Sequence, residues 1–122
     1  MMEPREMALQ IARILDKKGA RDISVLDVSH LSSIADYMVV CTGRNAQLVH
    51  ALSRDLDDKM LELGVDVRRR EGVNESRWIV MDYDCVIVHI FHPDDREYYN
   101  IDRLWMDGSN VVDFHSEYEE DE

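Results

Sequence analysis

The sequence predicts an α/β protein with a single mixed five-stranded sheet and flanking helices. Its apolar residues switch between helical and strand spacing in the order α-β-β-α-β-β-β-α. Residues 35–42 are apolar almost throughout, which is typical of a central strand covered on both faces. Residues 77–91 contain two apolar strands joined by a tight acidic turn, which indicates an antiparallel hairpin. One sheet with helices packed on it is the layer arrangement that this order allows.

The first predicted helix covers residues 4–18. Pro4 suits its first turn, and Gly19 can end it. Its apolar residues recur at helical spacing and form one stripe of Met7, Ile11, Ile14 and Leu15. Such a stripe indicates packing against the sheet.

Two strands and a second helix follow this first helix. The strands are predicted over residues 22–28 and 35–42. Asn45 can cap a helix that runs to about Leu63. A third strand over residues 65–70 then ends in a basic run of Arg68, Arg69 and Arg70.

The hairpin is the most informative stretch. With Tyr83 and Asp84 in the turn, Trp78 would face His89 and Asp82 would face Cys85. Side chains alternate between the faces of a strand, so one face would carry Ile79, Met81, Val86, Val88 and Ile90. The other would carry Trp78, Val80, Asp82, Ile87, His89 and Phe91. The first set is typical of core, whereas a tryptophan, a histidine and a carboxylate make the second face the candidate for binding.

The last predicted element is a helix after His92-Pro93, capped by Asp94 or Asp95. Its stripe is Tyr98, Ile101, Leu104 and Trp105, and we expect Trp105 in the core. Residues 1–112 are therefore predicted to form one domain. Residues 113–122 are predicted to be a disordered acidic tail.

Composition limits the classes of partner. The chain has 26 acidic and 14 basic residues among 122, a formal net charge of −12. This charge disfavours nucleic acid and anionic membranes, which bind clustered lysine and arginine. A basic partner is favoured, although the charge could equally serve solubility alone. With no signal-like start, no membrane-length apolar run, and two cysteines best explained as free buried thiols, we expect a cytoplasmic protein.

Asp82-Tyr83-Asp84 is the main candidate for chemistry. Paired carboxylates at a strand end can hold a divalent metal, so one hypothesis is a metal-dependent nucleotidyltransferase that uses Asp82 and Asp84. Aspartates also favour turns, and no glycine-serine phosphate cradle accompanies them. His89 and His92, three residues apart, would point to opposite faces of a strand. The sequence alone therefore predicts no metal and no cofactor.

The aromatic residues of the last third favour a binding role. Trp78 shares a predicted face with Asp82 and suits an interface anchor. The equally open alternative is a Trp78 covered by the N-terminal helix. A further hypothesis is a homodimeric adaptor that uses the hairpin face on a second copy.

The chain resembles the ribosomal silencing factor (Iojap-related) family over about residues 6–107. The resemblance rests on an ordered set of short pieces, each weak alone. These are Asp27-Val28, Ala35-Asp36-Tyr37, Cys41-Thr42-Gly43, Val49-His50-Ala51-Leu52, Glu71-Gly72, Trp78 with Asp82-Tyr83, Val88-His89-Ile90-Phe91-His92-Pro93, Arg96 with Tyr98-Tyr99, and Leu104-Trp105.

The resemblance implies a fold similar to nucleotidyltransferase-like folds but without their catalytic residues. It implies a binding protein and not an enzyme, with no cofactor. Such proteins dock on the large ribosomal subunit through its universal protein fourteen, block joining of the small subunit, and repress translation when nutrients are limiting. A basic ribosomal protein would agree with the separate argument from charge.

The resemblance also implies roles for particular residues. Trp78 would be the apolar anchor, and Asp82 would pair with a lysine or arginine of the ribosomal protein. Glu71, Tyr83 and His89 are further partner-binding candidates. The sequence departs from the family at the turn, where Asp84 takes the place of a glycine and Cys85 that of an acidic residue.

Overall fold

A computed structural model describes residues 2–118 and shows one mixed sheet flanked by helices. The helices are α1 (Pro4–Lys18), α2 (Ala46–Glu62), α3 (Pro93–Tyr99) and α4 (Ile101–Trp105). The strands are β1 (Arg21–Asp27), β2 (Tyr37–Thr42), β3 (Arg69–Glu71), β4 (Trp78–Asp82), β5 (Val86–Phe91) and β6 (Val111–Val112). The predicted fold class is confirmed, but the sheet has six strands and not five.

The strand order is β3-β4-β5-β2-β1-β6. Only β2 and β5 pair in parallel, and the other neighbours are antiparallel. β2 therefore lies inside the sheet, and five of its six residues are buried, as its apolar sequence predicted. β6 was missed because two valines carry no periodicity, and its pairing depends on β1 lying beside it.

Helices α1 and α2 cover one face of the sheet. Their buried stripes pack on the apolar residues of the strands, including Val39, Cys41, Ile79, Met81, Val86, Val88 and Ile90. Both predicted helix ends are confirmed. Gly19 ends α1 in the left-handed region with φ +112°, and the Asn45 side chain accepts a hydrogen bond of 2.8 Å from the Leu48 amide.

The predicted hairpin register is wrong by two residues. Trp78 pairs with Phe91, and Asp82 pairs with Ile87, because the turn consists of Asp84 and Cys85. The Asp82 carboxylate accepts a hydrogen bond of 2.8 Å from the Asp84 amide, which holds this later turn. A shift of two residues leaves every side chain on its predicted face.

The predicted last helix is two short helices. Asn100, at φ +50°, separates α3 from α4, and His92, not Asp94 or Asp95, caps α3. The predicted stripe is consequently split. Ile101 and Trp105 pack on the sheet, whereas Tyr98 and Leu104 are 81% and 78% exposed.

Two further boundaries differ from expectation. The third strand is only Arg69–Glu71, because the chain after α2 makes another turn in which the Val65 amide donates to Met60. Within the predicted acidic tail, residues 113–118 lie on α1. Phe114 packs on the core there, and Ser116 and the Glu117 amide donate to the buried Asp16 carboxylate. Residues 119–122 lie outside the described residues.

A half-buried guanidinium joins α3 and α4 to the end of the sheet. Arg96 donates to the Asp22 carbonyl at 2.8 Å, to Thr42 Oγ1 at 2.9 Å and to Asp102 Oδ2 at 3.1 Å. The Arg96 and Asp102 side chains are only 15% and 13% exposed. Removing one partner of such a pair leaves the other charge unpaired out of water.

We predict that Arg96→Met lowers the free energy of unfolding by about 3 kcal/mol or more. The double variant Arg96→Met, Asp102→Leu should regain much of that loss, because it removes the orphaned carboxylate. Urea denaturation at pH 7 measures both. The matched control is Arg77→Met, which breaks an exposed pair with Asp95 and should cost about 1 kcal/mol or less. An equal loss of unfolding free energy in Arg96→Met and Arg77→Met would contradict this role of Arg96.

Candidate partner-binding face

The second face of the sheet is only partly covered. Ile101 and Trp105 of α4 pack over Leu26, Val28, Met38, Val40 and Phe91. Along β4 the residues pointing to this face are half-buried, whereas those pointing to α1 and α2 are buried. Within residues 2–118 this leaves one surface uncovered. We call it the open face, made of Arg69, Glu71, Trp78, Val80, Asp82 and Ile87.

The strand register arranges the open face in rows. Arg69, Asp82 and Ile87 form one row, and Glu71 and Val80 pair with each other in the next. Trp78 begins β4 and Asp82 ends it, so their Cα atoms are separated by four residues, roughly 13 Å. The sequence placed both on one face, and the structure adds that they lie at opposite ends of it.

Trp78 is held from three sides. Its ring centroid lies 5.0 Å from that of Phe91 and 4.7 Å from that of Tyr99. Its indole N–H donates a hydrogen bond of 3.0 Å to His89 Nδ1. The covering side chain is thus Tyr99, not the N-terminal helix, which lies on the other face. Trp78 remains half-buried, with a fixed ring at the boundary of the open face.

His89 supports Trp78 from beneath the surface. The residue is 6% exposed, and burial lowers its pKa to about 4. It is therefore neutral at pH 7, which leaves Nδ1 free to accept the indole hydrogen. The structure makes His89 a buried support of the tryptophan.

Asp82 and Asp84 have different partners. Asp82 is half-buried on the open face, and its Oδ1 is used by the Asp84 amide. Asp84 is exposed in the turn and pairs with Arg68 at 2.6 Å. Among residues 2–118 no group of three carboxylate, histidine or cysteine side chains is placed to hold a metal ion. Asp82 thus stabilises the turn, and Asp84 forms an ion pair with Arg68.

Tyr83, predicted to bind a partner, is buried in the core and is not available to one. It is 3% exposed and packs in the core under α1 and α2. Burial raises the pKa of its hydroxyl, which has no hydrogen-bond partner among the described residues. Its position in strand alternation, one residue after Asp82, could have indicated this inward direction.

Glu71 is the predicted partner-binding residue nearest the edge of the sheet. It is exposed on the outer strand β3, with Oε1 3.9 Å from Arg69 Nε. Arg68 and Arg70 also lie near acids, Asp84 and Asp57. Each arginine of the basic run therefore lies near an acidic side chain of the same chain.

The predicted site residues leave out two apolar residues of the open face. Val80 lies between Trp78 and Asp82 along β4, Ile87 pairs with Asp82 across the hairpin, and both are half-buried. Strand alternation assigned both to this face, but nothing in the sequence indicated that α3 and α4 would be too short to cover them. Separately, no helix between residues 2 and 118 is long and apolar enough to cross a membrane.

Comparison with known proteins relates this fold to one family. A model of the family described as ribosomal silencing factor during starvation matches residues 1–122. The ribosomal silencing factor RsfS of Bacillus subtilis is 42% identical over 96 residues, which are 79% of this chain and 81% of that protein. A crystal structure of a protein from Chromobacterium violaceum superposes with a TM-score of 0.83 at 34% identity, covering 92% of this chain and 95% of that one.

A more distant relative comes from an animal. The mouse protein named mitochondrial assembly of ribosomal large subunit protein 1 is 29% identical over 98 residues, which are 78% of this chain and 43% of that protein. The family match covers the whole sequence, and the fold agrees with it. The chain belongs to the ribosomal silencing factor family.

Proposed function

We propose that this protein binds the large ribosomal subunit and blocks joining of the small subunit, so that translation falls when nutrients are limiting. The mechanism is steric exclusion, which requires a binding surface and no reacting group, and the protein is not an enzyme. Membership of the ribosomal silencing factor family supports the proposal. The name of the mouse relative, which refers to the large subunit, agrees with the choice of subunit.

The open face is the observation that carries the proposal. Along β3, β4 and the start of β5, the residues of this sheet face are exposed or only half-buried. Its apolar centre of Val80 and Ile87 is bordered by an aromatic ring and by charges, which is the general composition of a protein-binding surface. Such a surface exposed to water is stabilised when a partner covers it.

The proposed partner on the large subunit is its universal protein fourteen. In this interface Trp78 is the apolar anchor, because its ring is fixed before binding and little entropy is lost. Asp82 pairs with a lysine or arginine of the ribosomal protein, and Glu71 adds charge at the rim. His89 acts through Trp78, and Tyr83 takes no part. The net charge of −12 would speed the encounter with a basic partner.

Sedimentation through a sucrose gradient tests the function directly. The purified protein is mixed with separated large or small ribosomal subunits at low salt, where charge contacts are strongest. We expect co-migration with the large subunit only, and fewer joined ribosomes when the small subunit is added afterwards. A protein that stays at the top of the gradient at low salt would refute the proposal. A gradient of the protein alone tests the homodimer hypothesis.

Replacing the anchor should weaken binding strongly. We predict that Trp78→Ala raises the Kd for the large subunit by about 30-fold, corresponding to about 2 kcal/mol. Trp78 also packs on Phe91 and Tyr99, so binding is measured well below the thermal midpoint of the variant. The control Leu61→Ala removes an exposed apolar side chain from α2, on the other side of the sheet. Unchanged affinity in the folded Trp78 variant would remove the anchor assignment.

Asp82 is tested by a change of charge alone. Asp82→Asn keeps the oxygen that accepts from the Asp84 amide, so the turn should persist. We predict about tenfold weaker binding at low salt and a smaller difference at high salt, because the lost contact is electrostatic. Asp58→Asn, on the exposed side of α2, is the matched control. If Asp82→Asn and Asp58→Asn lose the same affinity for the large subunit, the effect comes from net charge and not from a contact of Asp82.

The support role of His89 predicts a pH dependence of stability. Its pKa is about 4 in the folded state, below the ordinary value of 6.5, so the unfolded chain binds more protons between these values. Neutral His89 therefore contributes fully to the free energy of unfolding above pH 6.5. This contribution is lost as pH falls towards 4, where the free energy of unfolding is lower by about 3 kcal/mol. Asn can accept from the indole but does not titrate. In urea denaturation from pH 7.5 to 4, the free energy of unfolding should therefore fall less steeply in His89→Asn than in the parent protein. An equal fall in both proteins would contradict the support role of His89.

A further inference from the structure

A small apolar cavity opens beside the open face. Its volume is about 110 Å³. Most of its lining comes from β2, β5, α4 and the loop after β1, through Val28, Ile34, Met38, Ile87 and Trp105. Pockets for small-molecule ligands typically have about 300–1,000 Å³. This cavity is instead of the size that takes one branched aliphatic side chain.

Ile34 forms the exposed wall of this cavity. It is 77% exposed, although it is a large aliphatic residue. Its loop is nevertheless well held, because the Leu31 and Ser32 amides both donate to the Val28 carbonyl and the Ile34 amide donates to Ser32 Oγ. Just before β2, the Asp36 amide donates a hydrogen bond to the Cys85 carbonyl. Ile34 is thus presented on an ordered loop, so little entropy would be lost when a partner covers it.

The cavity is continuous with the open face. Ile87 belongs to both, and it pairs across the hairpin with Asp82. On its other side Ile34 borders a polar groove that contains Asp36 and Asp84. An apolar recess therefore lies between carboxylates on both sides. A matching partner surface would have an aliphatic side chain with lysine or arginine beside it.

We propose that this cavity receives a valine, leucine or isoleucine side chain of the basic ribosomal protein bound to the open face, with a neighbouring lysine or arginine directed to the groove of Asp36 and Asp84. This inference rests on the proposed function and adds a second contact point beyond Trp78 and Asp82. A second copy of the chain fits less well, because each copy has a net charge of −12. Residues 113–118 of the chain itself lie on α1, on the other side of the sheet.

The test is the affinity of Ile34→Asp for purified large ribosomal subunit. The variant adds a negative charge, which by itself would favour a basic partner, so a loss of affinity reports the apolar contact. We expect at least tenfold weaker binding, and Ile34→Leu should stay within about threefold of the parent. The matched control is Leu61→Asp, which places the same charge at a 49% exposed leucine of α2 and should bind normally. Thermal unfolding checks each fold, and Ile34→Ser replaces the aspartate variant if that one is unstable.

The outcomes separate this inference from the proposed function. If the parent protein binds and Ile34→Asp binds equally well, the cavity contact is overturned while the proposed function stands. If the parent protein does not bind, both are overturned. If sedimentation equilibrium shows a parent dimer that Ile34→Asp dissociates, and subunit binding is unchanged, the cavity belongs to a self-contact and the inference is also overturned.

Discussion

The unequal covering of the two sheet faces determines most of what this molecule can do. Helices α1 and α2, of 15 and 17 residues, cover one face across its width. Among residues 2–118, the other face has only α3 and α4, of seven and five residues, which cover the strands around β1 and β2. They reach the β3-β4-β5 half at Phe91 and Trp78, and leave Val80, Asp82 and Ile87 partly accessible. An accessible, partly apolar surface is the geometric consequence.

Trp78 lies where the covered and uncovered halves meet, so it belongs both to the packed domain and to the proposed interface. Phe91 and Tyr99 pack on its ring, so part of its surface already stabilises the domain. The hydrogen bond to His89 fixes the direction of the indole and satisfies a buried acceptor at the same time. A rigid aromatic edge beside Val80 and Ile87 is a better binding element than a mobile one, because its entropy was already lost on folding.

The sequence predicted the sheet face of each side chain better than the pairing register of the hairpin, for a physical reason. Side chains alternate with a period of two, so a hairpin shifted by two residues keeps every residue on its face. Trp78, Asp82 and His89 were therefore assigned correctly to one face, although their partners across the hairpin were wrong. The break at Asn100 and the two-residue strand β6 depend on tertiary contacts, because neither segment is long enough to carry a periodic signal. The open face itself could not be predicted, since its accessibility depends on how far α3 and α4 reach.

The unusual hairpin turn leaves the open face intact. The resemblance places a glycine where this chain has Asp84, and the backbone explains that preference, because Asp84 has φ +75°. Aspartate is among the few other residues that adopt the left-handed region, at a cost of roughly 1–2 kcal/mol. Here the Asp84 amide bonds to Asp82, and the Asp84 carboxylate pairs with Arg68 at the surface, which offsets part of that cost. The substitution therefore preserves the turn, holds Asp82 at the end of β4, and adds a carboxylate beside the Ile34 cavity.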